Sequence, residues 1–497
     1  MRMATVVLVF YGVTLAGLAY FGLHRVKMLW LYARQVRRKQ PPVSPTWTVP
    51  PAVCIQCPLY NEPLVVETLL NKISAIRWEG PLEVQILDDS TDTTPSIIQH
   101  WLQRHPEAAS RIKHIQRAKR TGYKAGALAY GMEQSKAEFF AIFDADFQPE
   151  PDFLENLMPR FNEPRIAVVQ ARWEFSNRRA SLLTRFQGIF LDAHFVVEQV
   201  ARSSAGLFFN FNGTAGIWRR TALEDAGGWT PDTVTEDLDA SYRAQRRGWK
   251  FVYVSDYTVP SELPENLTAF KSQQHRWTKG GVQVARKQLP EILQSDLPMR
   301  VKLESFSHLT IGFVHPLLVT FSVLFVPALY LMGQAPMHWV WLLLNPLSVV
   351  LTGGSTVVLY VTSQYFRQRE WKEGLILLCA APVLLAFGLA MSVTCCVAVF
   401  EGLFTRGGEF VRTPKGGRAV KAGGMLTPLR GRALFSTVIL IELVLGLGML
   451  TGALYFGWRE MLGVAVTLLV KATGFLGLAA VSTHDLLPRA PVEPSNA

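Results

Sequence analysis

The stretch Phe139-Phe-Ala-Ile-Phe-Asp-Ala-Asp-Phe147 is an apolar run that ends in two aspartates one residue apart. Such a run, followed at once by polar residues, predicts a buried strand. Two carboxylates at a strand end can converge on a hard cation that also holds phosphate oxygens, as Mg²⁺ or Mn²⁺ requires. The alternative for an isolated pair of this kind is a turn or a helix cap. Because the pair directly follows the strand, its position favours a metal site at Asp144 and Asp146.

Similar apolar runs occur on both sides of this strand. Each precedes a polar segment that favours a helix, and the runs lie at residues 52–57, 84–87 and 166–169. This alternation is typical of an α/β domain with a mostly parallel sheet. Ligands of such sheets bind at the carboxyl ends of the strands. The sequence therefore predicts a site where the acidic motifs follow these runs.

Two of the other runs also end in polar motifs. Pro58-Leu-Tyr-Asn-Glu62 closes the first run and Asp88-Asp-Ser90 closes the second. Tyr60 offers a flat ring on which a nucleobase can stack. Lys124-Ala-Gly126 is placed in a glycine-containing loop, from which a cation can reach phosphate, although a solvated lysine is the commoner alternative.

Two motifs lie further along the chain. Thr235-Glu-Asp237 opens a helix-like stretch that closes at Gly248, so Thr235 is predicted to be the N-cap. A carboxylate fixed at a helix N-terminus is also suited to act as a general base. Gln273-Gln-His-Arg-Trp277 combines donors for a diphosphate with a ring for sugar stacking, the alternative being an aromatic anchor at the bilayer edge.

The chain of 497 residues has a net charge of +11 and five cysteines. Its basic residues concentrate beside apolar spans, at residues 25–39, 367–372 and 406–432, so the charge indicates membrane topology and not nucleic-acid binding. The pair Cys54 and Cys57 lies in a predicted strand with no second pair to complete a zinc site. Reduced cysteines that pack on opposite faces of a strand are expected.

The two ends of the chain are predicted to lie in a membrane. Residues 4–23 carry no charge. As a helix with a rise of about 1.5 Å per residue, this stretch is long enough to cross about 30 Å of hydrocarbon. The basic flank after them favours a retained span over a signal peptide. Four further spans are predicted, at residues 309–332, 338–362, 434–456 and 461–482.

Residues 375–404 are almost uncharged, contain Pro382 and are too long for one upright span. Counting them as a crossing would place the basic loop 405–432 outside, so an interfacial or re-entrant segment is expected. Five full spans result, in a multi-pass protein of a plasma, inner or Golgi-type membrane with its soluble domain in the cytoplasm. The predicted parts are a span and basic segment (1–45), the α/β domain (46–290) and a membrane region with interfacial helices (291–497).

In this order, the motifs resemble those of the membrane-bound family 2 glycosyltransferases, which include cellulose and hyaluronan synthases. Gly122-Tyr-Lys-Ala-Gly-Ala-Leu128 and Phe211-Asn-Gly-Thr-Ala-Gly216 look most like the cellulose synthase-like A and C branches, which include mannan, glucomannan and glucan synthases. Phe410-Val-Arg-Thr-Pro-Lys415 is similar to the gating loop of cellulose synthases, at Phe410, Thr413 and Lys415, with Arg412 in place of the family's valine. The fold implied is a GT-A domain beside transmembrane helices.

The resemblance implies a role for each motif residue. Tyr60, Asp88 and Asp89 would hold the nucleobase and ribose, with Glu62 also in the substrate site. Lys124 would hold the diphosphate, and Asp144 and Asp146 a divalent metal, Mg²⁺ or Mn²⁺, with the diphosphate. Asp237 would be the general base. Gln273, Arg276 and Trp277 would bind the leaving diphosphate and the acceptor sugar.

The implied activity is processive, inverting transfer from UDP-glucose or GDP-mannose to a β-linked polysaccharide, with possible export. A lipid glycosyltransferase similar to ceramide glucosyltransferases is the alternative enzyme, with a lipid acceptor in place of a glycan. A transporter or non-catalytic membrane subunit is a distant alternative, because the sequence shows no internal repeat. No nucleic-acid partner is expected.

Overall fold

The computed structural model describes residues 2–35, 47–332, 338–368, 370–408 and 429–486. The predicted gating-like residues Phe410, Thr413 and Lys415 lie outside these ranges. The soluble domain is built on a single sheet of seven strands in the order β3-β2-β1-β4-β6-β5-β7. The strands are β1 (Val53–Leu59), β2 (Leu82–Asp88), β3 (Ile112–Gln116), β4 (Phe139–Ile142), β5 (Ile166–Phe175), β6 (Gly216–Arg219) and β7 (Lys250–Ser261).

The sheet is mostly parallel, as predicted. β1 pairs in parallel with β2 and β4, and β5 pairs in parallel with β7. Only β6 is antiparallel to its two neighbours, β4 and β5. The carboxyl ends of β1, β2 and β4 therefore meet at one edge, where the motifs after residues 59, 88 and 142 come together.

Helices cover both faces of the sheet. The helices that follow the first strands are α2 (Val66–Ser74), α3 (Thr94–Arg104), α4 (Pro106–Ala109), α5 (Tyr123–Glu133) and α6 (Phe153–Leu157). Those that follow β5 and β6 are α7 (Leu182–Asp192), α8 (Gln199–Ser204), α9 (Arg220–Asp225) and α10 (Glu236–Arg246). A turn of π-helix at Ala193–Glu198 joins α7 to α8.

The strand β1 shows how the sheet divides two cores. Cys57 belongs to the apolar cluster on one face and Cys54 to the cluster on the other, and both are free and buried. The prediction that period-2 alternation sends them to opposite faces is confirmed. Their role is packing.

The remaining helices are α1 and those that follow β7. They are α1 (Arg2–Gln35), α11 (Leu267–Gln294), α12 (Met299–Leu309), α13 (Val314–Met332), α14 (His338–Val349), α15 (Ser355–Gln368), α16 (Trp371–Phe404), α17 (Leu429–Trp458) and α18 (Leu462–Leu486). Six stretches within the described residues are long and apolar enough to cross a membrane, at Met3–Gln35, Ile311–Met332, Leu344–Arg367, Trp371–Phe404, Ser436–Trp458 and Leu462–Asp485.

The structure differs from the sequence prediction at α16. This segment is one unbroken helix of 34 residues with Pro382 inside it, which excludes a re-entrant form because the chain does not turn back. By length and composition it is a sixth candidate span. Yet both of its ends contact the soluble domain: Glu373 lies 3.6 Å from Arg185, and Gly407, just beyond the helix, donates its N–H to Asp232 O over 2.8 Å.

Buried ion pairs join the apolar helices to the soluble domain. Lys271 on α11 donates to Glu442 on α17 over 2.7 Å, and both side chains are almost fully buried. In a second cluster, Glu304 on α12 accepts hydrogen bonds from Lys27 of α1, over 2.7 Å, and from Arg202 of α8, over 3.0 Å. These contacts fix the position of the soluble domain on the apolar helices.

Candidate active site

One cavity opens at the carboxyl ends of β1, β2 and β4 and is closed on its other side by α10 and α11. Except for Asp88, every predicted site residue in the described part of the chain lines it: Tyr60, Glu62, Asp89, Lys124, Asp144, Asp146, Asp237, Gln273, Arg276 and Trp277. Residues more than two hundred positions apart therefore meet in a single space.

Asp88 faces away from this cavity. Its carboxylate lies 2.8 Å from His114 Nε2 on β3 and accepts the Ser90 N–H over 2.9 Å. Burial acts to raise the pKa of Asp88, but the hydrogen bonds from His114 and Ser90 outweigh it and lower the pKa. Asp88 thus fixes the end of β2, which presents its neighbour Asp89 to the cavity.

Two arginines cover the predicted nucleobase and ribose residues. Arg117 holds Asp89 with two hydrogen bonds, Nε to Oδ1 over 2.9 Å and Nη2 to Oδ2 over 2.5 Å. Arg120 lies over the ring of Tyr60, with Cζ 3.3 Å from its centroid. Neither arginine was predicted from the sequence, where the available signal was the basic run that precedes Gly122.

Lys124 lies at the centre of the cavity. Its Nζ donates to Asp144 Oδ1 over 2.6 Å and to Gly213 O over 2.9 Å. The loop prediction for this residue is wrong, because Lys124 belongs to the first turn of α5, which begins after Gly122 with φ +72°. Burial acts to lower the pKa of Lys124, but the carboxylates of Asp144 and Glu236 raise it overall. The lysine is held as a cation beside a carboxylate.

Asp144 and Asp146 fit a divalent cation that a diphosphate helps to hold. The Asp144 side chain is 34% exposed, and its backbone N–H donates to Thr214 Oγ1 over 2.9 Å. Asp146 is nearly buried, and Ser261 Oγ donates to it over 2.5 Å. Within the described ranges no three acidic, histidine or cysteine side chains form a metal cage. Magnesium and similar ions often take only one or two carboxylates and complete their shell with phosphate and water oxygens.

Asp237 lies in the first turn of α10, where its carboxylate accepts the Leu238 N–H over 2.8 Å. Burial, and then the neighbouring Glu236 carboxylate, raise the pKa of Asp237 to about 7. Thr235 occupies the predicted N-cap position, but its side chain makes no capping hydrogen bond. A Cβ on Gly280 of α11 would lie 2.4 Å from Thr235 Cγ2, so the glycine permits the two helices to meet here.

Helix α11 supplies the wall opposite the sheet. Gln273 Oε1 is buried and accepts no hydrogen bond within the described residues. Burial acts to lower the pKa of Arg276, and the carboxylates of Glu236, Asp144 and Asp237 act against this. Arg276 therefore faces the same acidic group as Lys124 from the other side of the cavity.

A second cavity continues from the first into the apolar helices. The two share Asn212, Thr235, Asp237 and Trp277 as lining residues. Beyond Asp237 the second cavity passes between α1 and α13, where it is lined by groups that include His24, Arg25 and His315. The residue best placed as a base therefore lies where the two cavities meet.

The sheet order, the acidic motifs at its edge and the closing helices define a GT-A glycosyltransferase fold. Residues 50–280 match the family described as "Glycosyltransferase like family 2". Residues 50–280 are thus similar to this family, which confirms the resemblance drawn from the motifs.

The chain is also similar in sequence to curated plant proteins. The chain is 46% identical over 251 residues to "Glucomannan 4-beta-mannosyltransferase 2" of Arabidopsis thaliana, and this match covers 49% of this chain and 47% of that protein. It is 43% identical over 293 residues to "Probable glucomannan 4-beta-mannosyltransferase 9" of Oryza sativa subsp. japonica, covering 57% and 56% of the two chains. The chain spans about half the length of these curated relatives.

Among solved structures, a mannosyltransferase from Pyrobaculum calidifontis in complex with GDP-Man and Mn²⁺ superposes with a TM-score of 0.51 at 21% identity. The match covers 78% of this chain and 99% of that one. At this level of identity the similarity concerns the fold.

Proposed function

We propose that this protein is an inverting glycosyltransferase that extends a β-linked polysaccharide from a nucleotide sugar at the cytoplasmic face of a membrane. Of the two donors that the motifs suggest, GDP-mannose is preferred over UDP-glucose, because the relatives at 43% and 46% identity are named as glucomannan 4-beta-mannosyltransferases. Processive extension and export are part of the proposal.

The observation that carries the proposal is the convergence of opposite charges in one cavity. Lys124 and Arg276 approach the Asp144 carboxylate from two sides, and Asp237 lies beyond them at the mouth of the second cavity. A nucleotide sugar requires cations for its diphosphate, whereas its acceptor requires a base. The cavity between the sheet and the helices α10 and α11 provides both the cations and the base.

In the proposed reaction, Asp237 takes the proton of an acceptor hydroxyl as the hydroxyl oxygen forms a bond to the anomeric carbon of the donor. The bond from that carbon to the diphosphate breaks, and the nucleoside diphosphate leaves from the opposite face. An α-linked donor therefore gives a β-linked product. Lys124 and Arg276 stabilise the charge that develops on the leaving group.

A divalent cation held by Asp144 and Asp146 would neutralise part of the diphosphate charge. Both carboxylates line the cavity beside Lys124. Mg²⁺ and Mn²⁺ suit these oxygen ligands equally well. Trp277 offers its ring to the acceptor sugar at the point where the two cavities join.

The second cavity supports a long acceptor. It leaves the base and passes along α1 and α13, two of the helices apolar enough to cross a membrane. A growing chain could occupy this space while its terminal hydroxyl stays at Asp237. Helix α16, with both ends on the soluble domain, is proposed to lie along the interface.

The test is to give detergent-purified protein a panel of nucleotide sugars with Mg²⁺ or Mn²⁺ and to measure nucleotide release and product linkage. We expect release from GDP-mannose only with metal present, and a β-linked polymer that a β-mannanase digests. A product extractable into organic solvent would support the glycolipid alternative. Absence of metal-dependent release from every donor would contradict the enzyme assignment.

A further inference from the structure

A third pocket lies apart from the two cavities, at the boundary between the soluble domain and the apolar helices. It is formed by the start of α7, the end of α15 and the start of α16. Its polar lining includes four arginines, Arg178, Arg179, Arg185 and Arg367. Since α15 ends a candidate span at Arg367, the pocket lies at the level where lipid headgroups would be.

The four arginines differ in how closely carboxylates pair with them. Arg178 holds Asp192 through two hydrogen bonds of 2.7 Å, and Arg367 donates to Glu174 over 3.3 Å. Arg185 lies 3.6 Å from Glu373, which is beyond hydrogen-bond distance, and its side chain is 48% exposed. Arg179 is exposed and makes no ion pair with any described residue. The pocket therefore carries positive charge that its own carboxylates leave unbalanced.

A buried donor without an acceptor points to the same conclusion. The Nε atom of Arg178 is buried and donates no hydrogen bond within the described residues, whereas Arg367 Nε lies 3.4 Å from Asp192 Oδ2. Arg178 as a whole is only 7% exposed. Guanidinium groups with unfilled donors bind phosphate oxygens well, because the planar fork matches their spacing.

The rest of the lining is apolar and partly open. Phe186, Leu377 and Leu384 pack together at its base. Leu182 and Ile376 also line the pocket and are 64% and 51% exposed. A soluble anion would gain nothing from these side chains, whereas an acyl chain would cover them.

We propose that this pocket binds an acidic phospholipid. The phosphate contacts Arg179 and Arg185, and the acyl chain lies along Leu182 and Ile376. An acidic headgroup is favoured over a zwitterionic one, because the pocket is net positive and only an acidic headgroup brings a net negative charge.

The test is native mass spectrometry of the full, detergent-purified chain titrated with phosphatidylglycerol or phosphatidylcholine of equal acyl length. We expect tighter retention of phosphatidylglycerol, weakened about 10-fold in Arg179→Ala/Arg185→Ala. The matched control is Arg104→Ala/Arg247→Ala, which removes the same charge from exposed ion pairs elsewhere on the soluble domain. This control should retain the lipid as the unchanged protein does.

Two further arms keep the lipid proposal falsifiable. Arg179→Ala alone changes an exposed side chain that forms no ion pair with the described part of the chain. It should therefore fold normally and still weaken retention if the double variant fails to fold. Equal retention of both lipids, or equal weakening in the control variant, would overturn the proposal. Displacement of phosphatidylglycerol by millimolar inorganic phosphate would also overturn it, because the anion alone would then suffice.

Discussion

At the scale of single residues, the function proposed here depends on how burial and neighbouring charges adjust Asp237. The carboxylate is placed by the first turn of α10 and by its contact with Leu238. Its raised pKa comes from burial and from Glu236, the neighbour at the start of the same helix. The sequence motif predicted the position of this carboxylate, whereas its environment also depends on residues distant in the sequence, such as Lys124 and Asp144.

The pH dependence of transfer follows from this environment. A general base acts when deprotonated, and a pKa of about 7 means that Asp237 becomes protonated as the pH falls through that value. We therefore expect kcat/KM to fall below about pH 7, well above the range of an ordinary aspartate. Initial rates at saturating metal, with circular dichroism to verify folding at each pH, measure this. A profile that stays flat down to about pH 5 would contradict the prediction.

At the scale of elements, the sequence predicted β1, β2, β4 and β5 and missed β3, β6 and β7. β1, β2, β4 and β5 are long or strongly apolar. β3 is mostly polar and only partly buried, and β6 has four residues. Such segments become strands because their neighbours in the sheet pair with them, which a local pattern does not reveal.

The turn before β6 is the element that brings Lys124 and Asp237 together. Gly213 has φ +81°, and a Cβ there would lie 2.9 Å from Asp237 Oδ2 and 3.4 Å from Lys124 Nζ. We expect Gly213→Ala to lower kcat/KM by about 100-fold, because it displaces the catalytic carboxylate. Steady-state kinetics measures the effect.

Gly206→Ala is the matched control for this turn. Gly206 also has a left-handed φ, +60°, but no atom of the described residues lies within 4 Å of its Cβ position. Both variants share the backbone strain of about 1 kcal/mol, so both should lose a similar amount of stability. If Gly206→Ala loses as much activity as Gly213→Ala, strain and not the close approach explains the loss.

At the scale of the whole molecule, contacts between distant residues join the domain to the apolar helices. Lys271 and Glu442 are 171 residues apart and almost completely buried, and Lys271 also donates to Ser482 over 2.8 Å. Their sequence neighbourhoods give no sign that they pair. The sequence therefore predicted the apolar segments, while the way these segments hold the active site was accessible only in three dimensions.

Breaking this buried pair should destabilise the protein. Glu442→Leu leaves the Lys271 charge buried without its Glu442 counter-ion, at a cost of about 3–5 kcal/mol, whereas Lys271→Met/Glu442→Leu removes both charges and should recover most of the stability. Thermal unfolding followed by fluorescence-detected size-exclusion chromatography ranks the stabilities of the unchanged protein and the variants. Glu155→Gln, in the exposed pair with Arg77, is the control and should have little effect. A double variant no more stable than Glu442→Leu would contradict a role for the pairing itself.

The most direct test of the central claim is to compare Asp237→Asn with the unchanged protein in donor binding and in turnover. Asp232→Asn, which changes a carboxylate that is 49% exposed and paired with Lys287, is the control. If Asp237 is the base in the donor cavity, its variant should bind the nucleotide sugar normally and lose about 1,000-fold in kcat, while the control keeps both properties. Turnover by Asp237→Asn at the rate of the unchanged protein would contradict the account.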